Sequence, residues 1–150
     1  MELIFRVVVF LLLIGLSIID IRNKRVPIVL VWILSLVCFI GVVVRISTAE
    51  LPFGRVCVTC LIGAVPGILM CILAWLTKKV GVGDGIVLAS IGFFENYACA
   101  LVSLCAGSLV LSMISIVLMA IKKANKKTEM PFLPFLTMGY FLWGLPTWMK

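Results

Sequence analysis

The chain has 150 residues, of which 64% are hydrophobic and only 13% are charged. Soluble domains are about 45–50% apolar and about 25% charged, and a chain this short has too much surface per volume to bury so many apolar side chains in one core. The composition therefore argues strongly against a soluble globular domain, and it excludes a disordered chain. It predicts an all-α polytopic membrane protein, a single domain built almost entirely of spanning helices.

The net charge is +7, with 13 Lys and Arg against 6 Asp and Glu. In a membrane protein, basic residues are first of all topology signals, so no nucleic-acid partner is expected. The chain has no His, which removes Ser-His and Cys-His pairs and most zinc sites. We expect no metal and no cofactor. The six cysteines are expected to be small buried apolar residues, because the single C-x-x-C at Cys57 and Cys60 has no second pair to complete a metal site.

Apolar runs in chain order predict the helices. The run over 85–121 is about twice the length of one spanning helix, and it is broken only at Glu95-Asn96. Two short crossings place Lys78-Lys79 and the cluster Lys122–Lys127 on the same side, as the positive-inside rule favours. They also bring Glu95 toward an interface instead of leaving it in lipid. The sequence thus predicts six transmembrane helices, at about 3–19, 26–44, 56–77, 84–95, 97–121 and 130–149.

This topology sorts the basic residues by side. We assign the basic side as cytoplasmic, which places both termini on the other side of a plasma membrane that the chain crosses several times. The fourth helix is short, so its inner end is expected to begin within protein. The basic residues that share the cytoplasmic side are Arg22, Lys24, Arg25, Lys78, Lys79, Lys122, Lys123, Lys126 and Lys127.

Asp20 and Asp84 are the only two aspartates. Asp20 ends the first predicted helix and Asp84 begins the fourth, so the topology brings both to the cytoplasmic end. Taken one at a time, Asp20 can be an interfacial residue solvated beside its basic loop, and Asp84 can be an N-cap. A carboxylate at the end of an apolar run is nevertheless expensive unless it is solvated, paired or functional.

Taken together, the two carboxylates can activate water. Two carboxylates held close cannot both ionise cheaply, so one keeps its proton and the other acts as a base. The base takes a proton from water while the acid protonates the carbonyl oxygen of a peptide bond. The macrodipole of the fourth helix favours the ionised form of Asp84, which predicts Asp84 as the base and Asp20 as the acid. Gly81, Gly83 and Gly85 flank Asp84 and allow close approach of backbone or substrate.

Three motifs resemble one family, in order and over about residues 19–139. Ile19-Asp20-Ile21-Arg22-Asn23-Lys24-Arg25-Val26-Pro27 resembles the first signature of the type IV prepilin and preflagellin peptidases. Gly81-Val82-Gly83-Asp84, the G-x-G-D motif, resembles the second. Pro131, Phe132 and Pro134 resemble the Pro-Phe-x-Pro segment near the family's C-terminus.

The resemblance implies a membrane aspartic endopeptidase with Asp20 and Asp84 as catalytic residues. Members of this family cut the basic leader from prepilin-like precursors (type IV pilins, pseudopilins or flagellin-like proteins) at the cytoplasmic face, ahead of the apolar pilin helix. Substrate would enter from the bilayer, and Glu129 is a candidate partner for the basic leader. The segment around Pro131 and Pro134 either lines the cavity or is a plain helix start.

The chain resembles the short form of the family, which has only the peptidase region. It lacks the extra cytoplasmic region of the long enzymes, so no N-methyltransferase activity is predicted. It departs from the family at Val87, where a Lys is frequent, and at Ile28, where an Asn is frequent. A member that binds pilin-like partners without cutting them is therefore an open alternative, and the oligomeric state is undetermined.

Two other classes compete with the peptidase prediction. Presenilin-type and signal-peptide-peptidase-type proteases share the aspartate chemistry, but they need more helices than 150 residues supply. A small transporter or ion-conducting protein would use Asp20 and Asp84 as a proton or cation site. That alternative predicts carboxylates near the bilayer midplane, whereas a peptidase predicts both at the cytoplasmic end.

Overall fold

The computed structural model describes residues 2–23, 27–48, 53–77, 81–121 and 131–148. In these residues the secondary structure is helical apart from short turns, which confirms the predicted all-α fold and the number of helices. The six helices are α1 (Glu2–Asn23), α2 (Ile28–Thr48), α3 (Phe53–Thr77), α4 (Val82–Phe94), α5 (Tyr97–Ala120) and α6 (Leu133–Trp148).

Four of these helices, α1, α2, α3 and α5, are long and apolar enough to cross a membrane. Helix α4 has 13 residues and is therefore about 20 Å long, shorter than the roughly 30 Å hydrocarbon core of a bilayer. Helix α6 has 16 residues and is also short. These lengths and compositions are those of a helical membrane protein.

Several predicted helix boundaries were wrong. Helix α1 continues to Asn23 instead of ending at residue 19, so Asp20 lies inside the helix, about one turn from its end. Helix α2 begins at Ile28, where the Pro27 carbonyl accepts the first N–H bonds, and it continues to Thr48. Helix α6 begins at Leu133 instead of residue 130. In each case the predicted helix end lies at a charged residue or a proline, a few residues from the observed end.

Helix α4 lies at the centre of the bundle and packs against α2, α3 and α5. Its contact with α3 is very close, because a Cβ atom on the glycines of either helix would overlap atoms of the other. Small residues at spacings of three and four permit such close approach of membrane helices. The residues that face one another across this contact are Gly63 and Gly92, Gly67 and Ala89, and Cys71 and Gly85.

The outward surface of the bundle is apolar. Trp32 is 71% exposed and Trp75 is 75% exposed, and many leucine, isoleucine and valine side chains of the long helices also point outward. Leu13, Leu34 and Leu88 form part of the buried core. An apolar surface on this scale exceeds the patches that monomeric soluble proteins expose, which agrees with a lipid environment.

Candidate active site

Asp20 lies on α1 and is held by the start of α6. Its side chain is buried, and its Oδ2 atom accepts a hydrogen bond from the Leu133 backbone N–H at 3.3 Å. The backbone of Phe132 also donates toward this carboxylate. The first N–H groups of a helix have no partner within the helix, and they carry the positive end of its dipole. The N-terminus of α6 is thus a binding site for the Asp20 carboxylate.

Asp84 lies in the first turn of α4 and is not its N-cap. Gly81 occupies the cap position, and no side chain forms a cap hydrogen bond there. The interpretation of Asp84 as a plain N-cap was therefore wrong. The Asp84 side chain is buried, and a Cβ atom on Gly81 would lie 3.3 Å from its Oδ2 atom. The absence of a side chain at Gly81 leaves space beside this carboxylate.

The two aspartates lie at the same end of the bundle, here called the aspartate end. The charge of Asp20 is close enough to act on Asp84. The start of α6 joins the two residues, since Leu133 donates to Asp20 while its neighbour Phe132 lines a cavity that Asp84 also lines. The 64 positions between the aspartates are thus bridged by the fold.

The cavity beside Asp84 has a volume of about 740 Å³ and runs between α3 and α5. It extends from Tyr97, at the start of α5, to Asp84. Its lining is apolar except for Asp84, Ser108 and Tyr97. The apolar residues that line it are Ile62, Val65, Pro66, Leu69, Met70, Leu73, Leu101, Leu104, Leu111 and Phe132. The cavity has the character of a lipid-facing groove with a carboxylate at one end.

The remaining predicted site residues have different positions. Gly83 is half-buried in the first turn of α4, and Gly85 packs against Cys71 of α3, away from the cavity. Pro131 is half-buried just before α6. Pro134 lies in the first turn of α6, where its missing N–H is not needed. The segment starts a helix, and of its residues Phe132 lines the cavity, whereas Pro131 and Pro134 are not among the lining residues.

Several predicted residues lie outside the part of the chain that the structure describes. Glu129 is among them, as are Lys78, Lys79 and the cluster Lys122–Lys127. Val87, at the position where the resembled family often has Lys, is fully buried in the core. No cation of this chain therefore stands at that position.

Sequence reasoning missed a second buried polar cluster. Glu95 was expected near an interface, but its side chain is buried at the turn between α4 and α5. Its Oε1 atom lies 3.0 Å from Arg6 Nε and accepts a hydrogen bond from the Tyr140 hydroxyl at 3.4 Å. The signal was Arg6 itself, since it interrupts the first apolar run and a charge in such a run needs a partner.

No protein-family model, no curated protein and no solved structure matches this chain. Within the described ranges, no three His, Cys, Asp or Glu side chains are grouped as a metal site would need. The cysteines are free thiols, and Cys38, Cys60 and Cys99 are buried.

Proposed function

We propose that this chain is a membrane aspartic endopeptidase that removes the leader from prepilin-like precursors. One observation carries the proposal: two buried carboxylates, 64 positions apart in sequence, lie at the same end of the bundle, where Asp20 is hydrogen-bonded to Leu133 and Asp84 lines an apolar groove with Phe132. Buried, mutually interacting carboxylates are typical of acid–base catalysis. The resemblance of the motifs around Asp20, Asp84 and Pro131 supports the same class.

The hydrogen bonds favour Asp20 as the base. A hydrogen bond to a charged group contributes about 1.5–3 kcal/mol, whereas a helix dipole contributes about 0.3–1 kcal/mol. Asp20 has the N–H bond from Leu133, while Asp84, as far as the described residues go, has only its first-turn position in α4. We therefore assign Asp20 as the base and Asp84 as the acid, the reverse of the assignment made from the dipole alone.

The reaction then follows from the two roles. Asp20 accepts a proton from a water molecule, and the water oxygen attacks the carbonyl carbon of the scissile peptide bond. Asp84 donates its proton to the carbonyl oxygen, which gives a neutral tetrahedral intermediate. When the C–N bond breaks, the proton on Asp20 passes to the leaving amine. Asp84 takes a proton back from a hydroxyl group of the intermediate. Both carboxyl groups end in their initial states, and one water molecule is consumed.

The groove suits the apolar helix of a prepilin-like substrate. It follows α5 from Tyr97 to Leu111, a distance of about 21 Å, which matches about 14 residues of a second helix. With such a helix in the groove, the bond at its end would lie beside Asp84. The basic leader would then continue past the aspartate end, and Glu129 remains the partner for it that the sequence suggests.

The orientation follows from the charge distribution of the sequence. The positive-inside rule places the aspartate end in the cytoplasm and both termini outside. The short helices α4 and α6 would then complete six crossings of the plasma membrane, with the ends of α4 covered by protein.

The position of the carboxylates favours a peptidase over a transporter. Asp20 lies about one turn from the end of α1, and Asp84 lies in the first turn of α4. A proton or cation pathway would need groups near the middle of the bundle that are reached from both sides. Mapping cysteine accessibility at positions 20 and 84 separates the two functions, because a peptidase site labels from one side only.

The direct test is co-expression with a panel of leader-bearing pilin, pseudopilin and flagellin-like precursors. We expect wild type to shorten at least one precursor, and Asp20→Asn and Asp84→Asn to shorten none. Ser112→Ala is the control, because Ser112 is exposed on α5 and is not among the residues that line the groove. If folded wild type leaves the whole panel intact, the peptidase proposal is wrong, and a pilin-binding role without cleavage becomes the better explanation.

A further inference from the structure

A buried ion pair joins α1 to the α4–α5 turn at the end of the bundle opposite the aspartates. Arg6 Nε lies 3.0 Å from Glu95 Oε1, and the two side chains are only 19% and 5% exposed. The Tyr140 hydroxyl donates to the same oxygen at 3.4 Å. Arg45 donates to the Phe94 carbonyl at 3.4 Å, one residue before Glu95. Contacts from α1, α2 and α6 thus converge where α4 ends.

The same two chain segments carry the aspartates at their other ends. Fourteen residues separate Arg6 from Asp20 on α1, which is about 21 Å and leaves the two side chains within about 40° of one another around the helix. Eleven residues separate Asp84 from Glu95, which is about 16 Å and about 20°. Each segment therefore presents a carboxylate of the site and a member of the ion pair on one face.

Backbone packing does little to align α1 with α4. Within the described part of the chain, α1 packs chiefly against α2 and α6, whereas α4 packs against α2, α3 and α5. Helix α2 is the main neighbour that the two share. Among the described residues, the side chains of Arg6 and Glu95 form a direct polar connection between α1 and the end of α4.

The ion pair resists sliding of α1 along α4. Parting two buried charges takes each from its oppositely charged partner in a low-dielectric environment, which is unfavourable. A slip of one residue moves a side chain by about 1.5 Å along the helix axis, and a displacement of about 1 Å at a catalytic group lowers the rate by about a hundredfold. A fixed register is therefore valuable to any chemistry that needs both carboxylates.

We propose that Arg6 and Glu95 are positioning residues, whose ion pair sets the axial register of α1 against α4 and thereby aligns Asp20 with Asp84. The expected effect on cleavage rests on the proposed function. The alignment itself does not, because it concerns the distance between two side chains and is measured without substrate.

The register is read from disulfide formation between engineered cysteines. One protein carries Asp20→Cys with Asp84→Cys, and a second carries Ser17→Cys with Asp84→Cys, one turn earlier on α1. Both carry Cys71→Ala, because Cys71 packs beside Gly85 and would compete. The purified proteins are oxidised in lipid vesicles, and each disulfide is identified by mass spectrometry. The readout is the yield of the 20–84 bond divided by that of the 17–84 bond.

The ratio is then measured with changes at the ion pair. A disulfide needs Cα atoms about 4.4–6.8 Å apart, and one helical turn is about 5.4 Å. We expect the 20–84 bond to exceed the 17–84 bond in the parent, and a parent that forms neither bond overturns the proposed alignment of the two aspartates. We expect Arg6→Met to lower the ratio by about threefold or more, since a slip of one residue moves Ser17 toward Asp84. Arg6→Lys keeps the charge and should preserve the ratio. Arg55→Met is the matched control, because Arg55 is an exposed arginine at the start of α3.

An unchanged ratio in Arg6→Met overturns the proposal. If Arg6→Met fails to fold, the variant Arg6→Met with Glu95→Leu replaces it, because it leaves no unpaired buried charge and should fold while still losing the register. With the aspartates intact, Arg6→Met should lower kcat for leader cleavage and leave KM unchanged. A changed ratio without any cleaved precursor refutes only the peptidase function. Cleavage that needs both aspartates, with an unchanged ratio, refutes only the positioning role.

Discussion

The contact between α3 and α4 predicts that Gly63→Ala destabilises the bundle. A Cβ atom at residue 63 would overlap the carbonyl of Gly92, and this carbonyl is fixed in the backbone of α4. The two helices must therefore separate, and overpacking of this kind costs about 1–3 kcal/mol. Alanine recovers about 1 kcal/mol through its better helix propensity. Because the overlapping atom belongs to the backbone, we expect an overpacking cost near the upper end of this range. After the gain in helix propensity, the free energy of unfolding should fall by about 2 kcal/mol, roughly a 30-fold change in the unfolding equilibrium.

The assay is unfolding of the purified protein in micelles, followed by circular dichroism during titration with a denaturing detergent. Gly15→Ala is the matched control, because a Cβ atom at residue 15 of α1 meets nothing within 4 Å. The same substitution should leave the midpoint unchanged or raise it there, and should lower it at residue 63. Equal midpoints for the two variants would refute the close packing of α3 on α4.

Two further predictions concern the candidate site. Leu133→Pro removes the N–H that donates to Asp20 at a helix position that tolerates proline. It should reduce cleavage by about tenfold or more, as loss of a charge-assisted hydrogen bond would. Leu133→Ala keeps the N–H and should retain more activity, and the opposite order would contradict the role of this bond. Leu104→Trp fills the groove and should raise KM for a precursor with its apolar helix. The control is Leu109→Trp on the exposed face of α5, measured in the same vesicles. Equal KM values for the two variants would show that the helix does not bind in the groove.

The six helices and the placement of both aspartates at one end could be predicted from the sequence. Composition alone indicates a membrane protein, and the charges flanking the run over 85–121 indicate two helices that turn at Glu95-Asn96. The topology that follows brings Asp20 and Asp84 to one end. In each inference a residue type or a run of residues carries the signal, because burial and charge decide the structure at that scale.

The contacts that hold Asp20 and Glu95 in place could not be predicted from the sequence. The donor to Asp20 is a backbone N–H 113 residues away, and every residue except proline has such a group, so residue type gives no signal. The Arg6–Glu95 pair depends on which helix face meets which neighbour, and apolar runs without a polar face do not define this. The predicted end of α1 is wrong because it treats Asp20 as the boundary of the helix. The Asp20 carboxylate instead accepts a hydrogen bond from α6 within the bundle.

The most direct test of the proposed function uses the purified chain in lipid vesicles with one prepilin-like precursor from the co-expression panel. The mass of the products identifies the bond that is broken and whether one water molecule has been added. We predict a single cut between the basic leader and the apolar helix, made by wild type and abolished by either Asp20→Asn or Asp84→Asn. Cleavage at the same bond by both aspartate variants would show that these two carboxylates are not the catalytic pair.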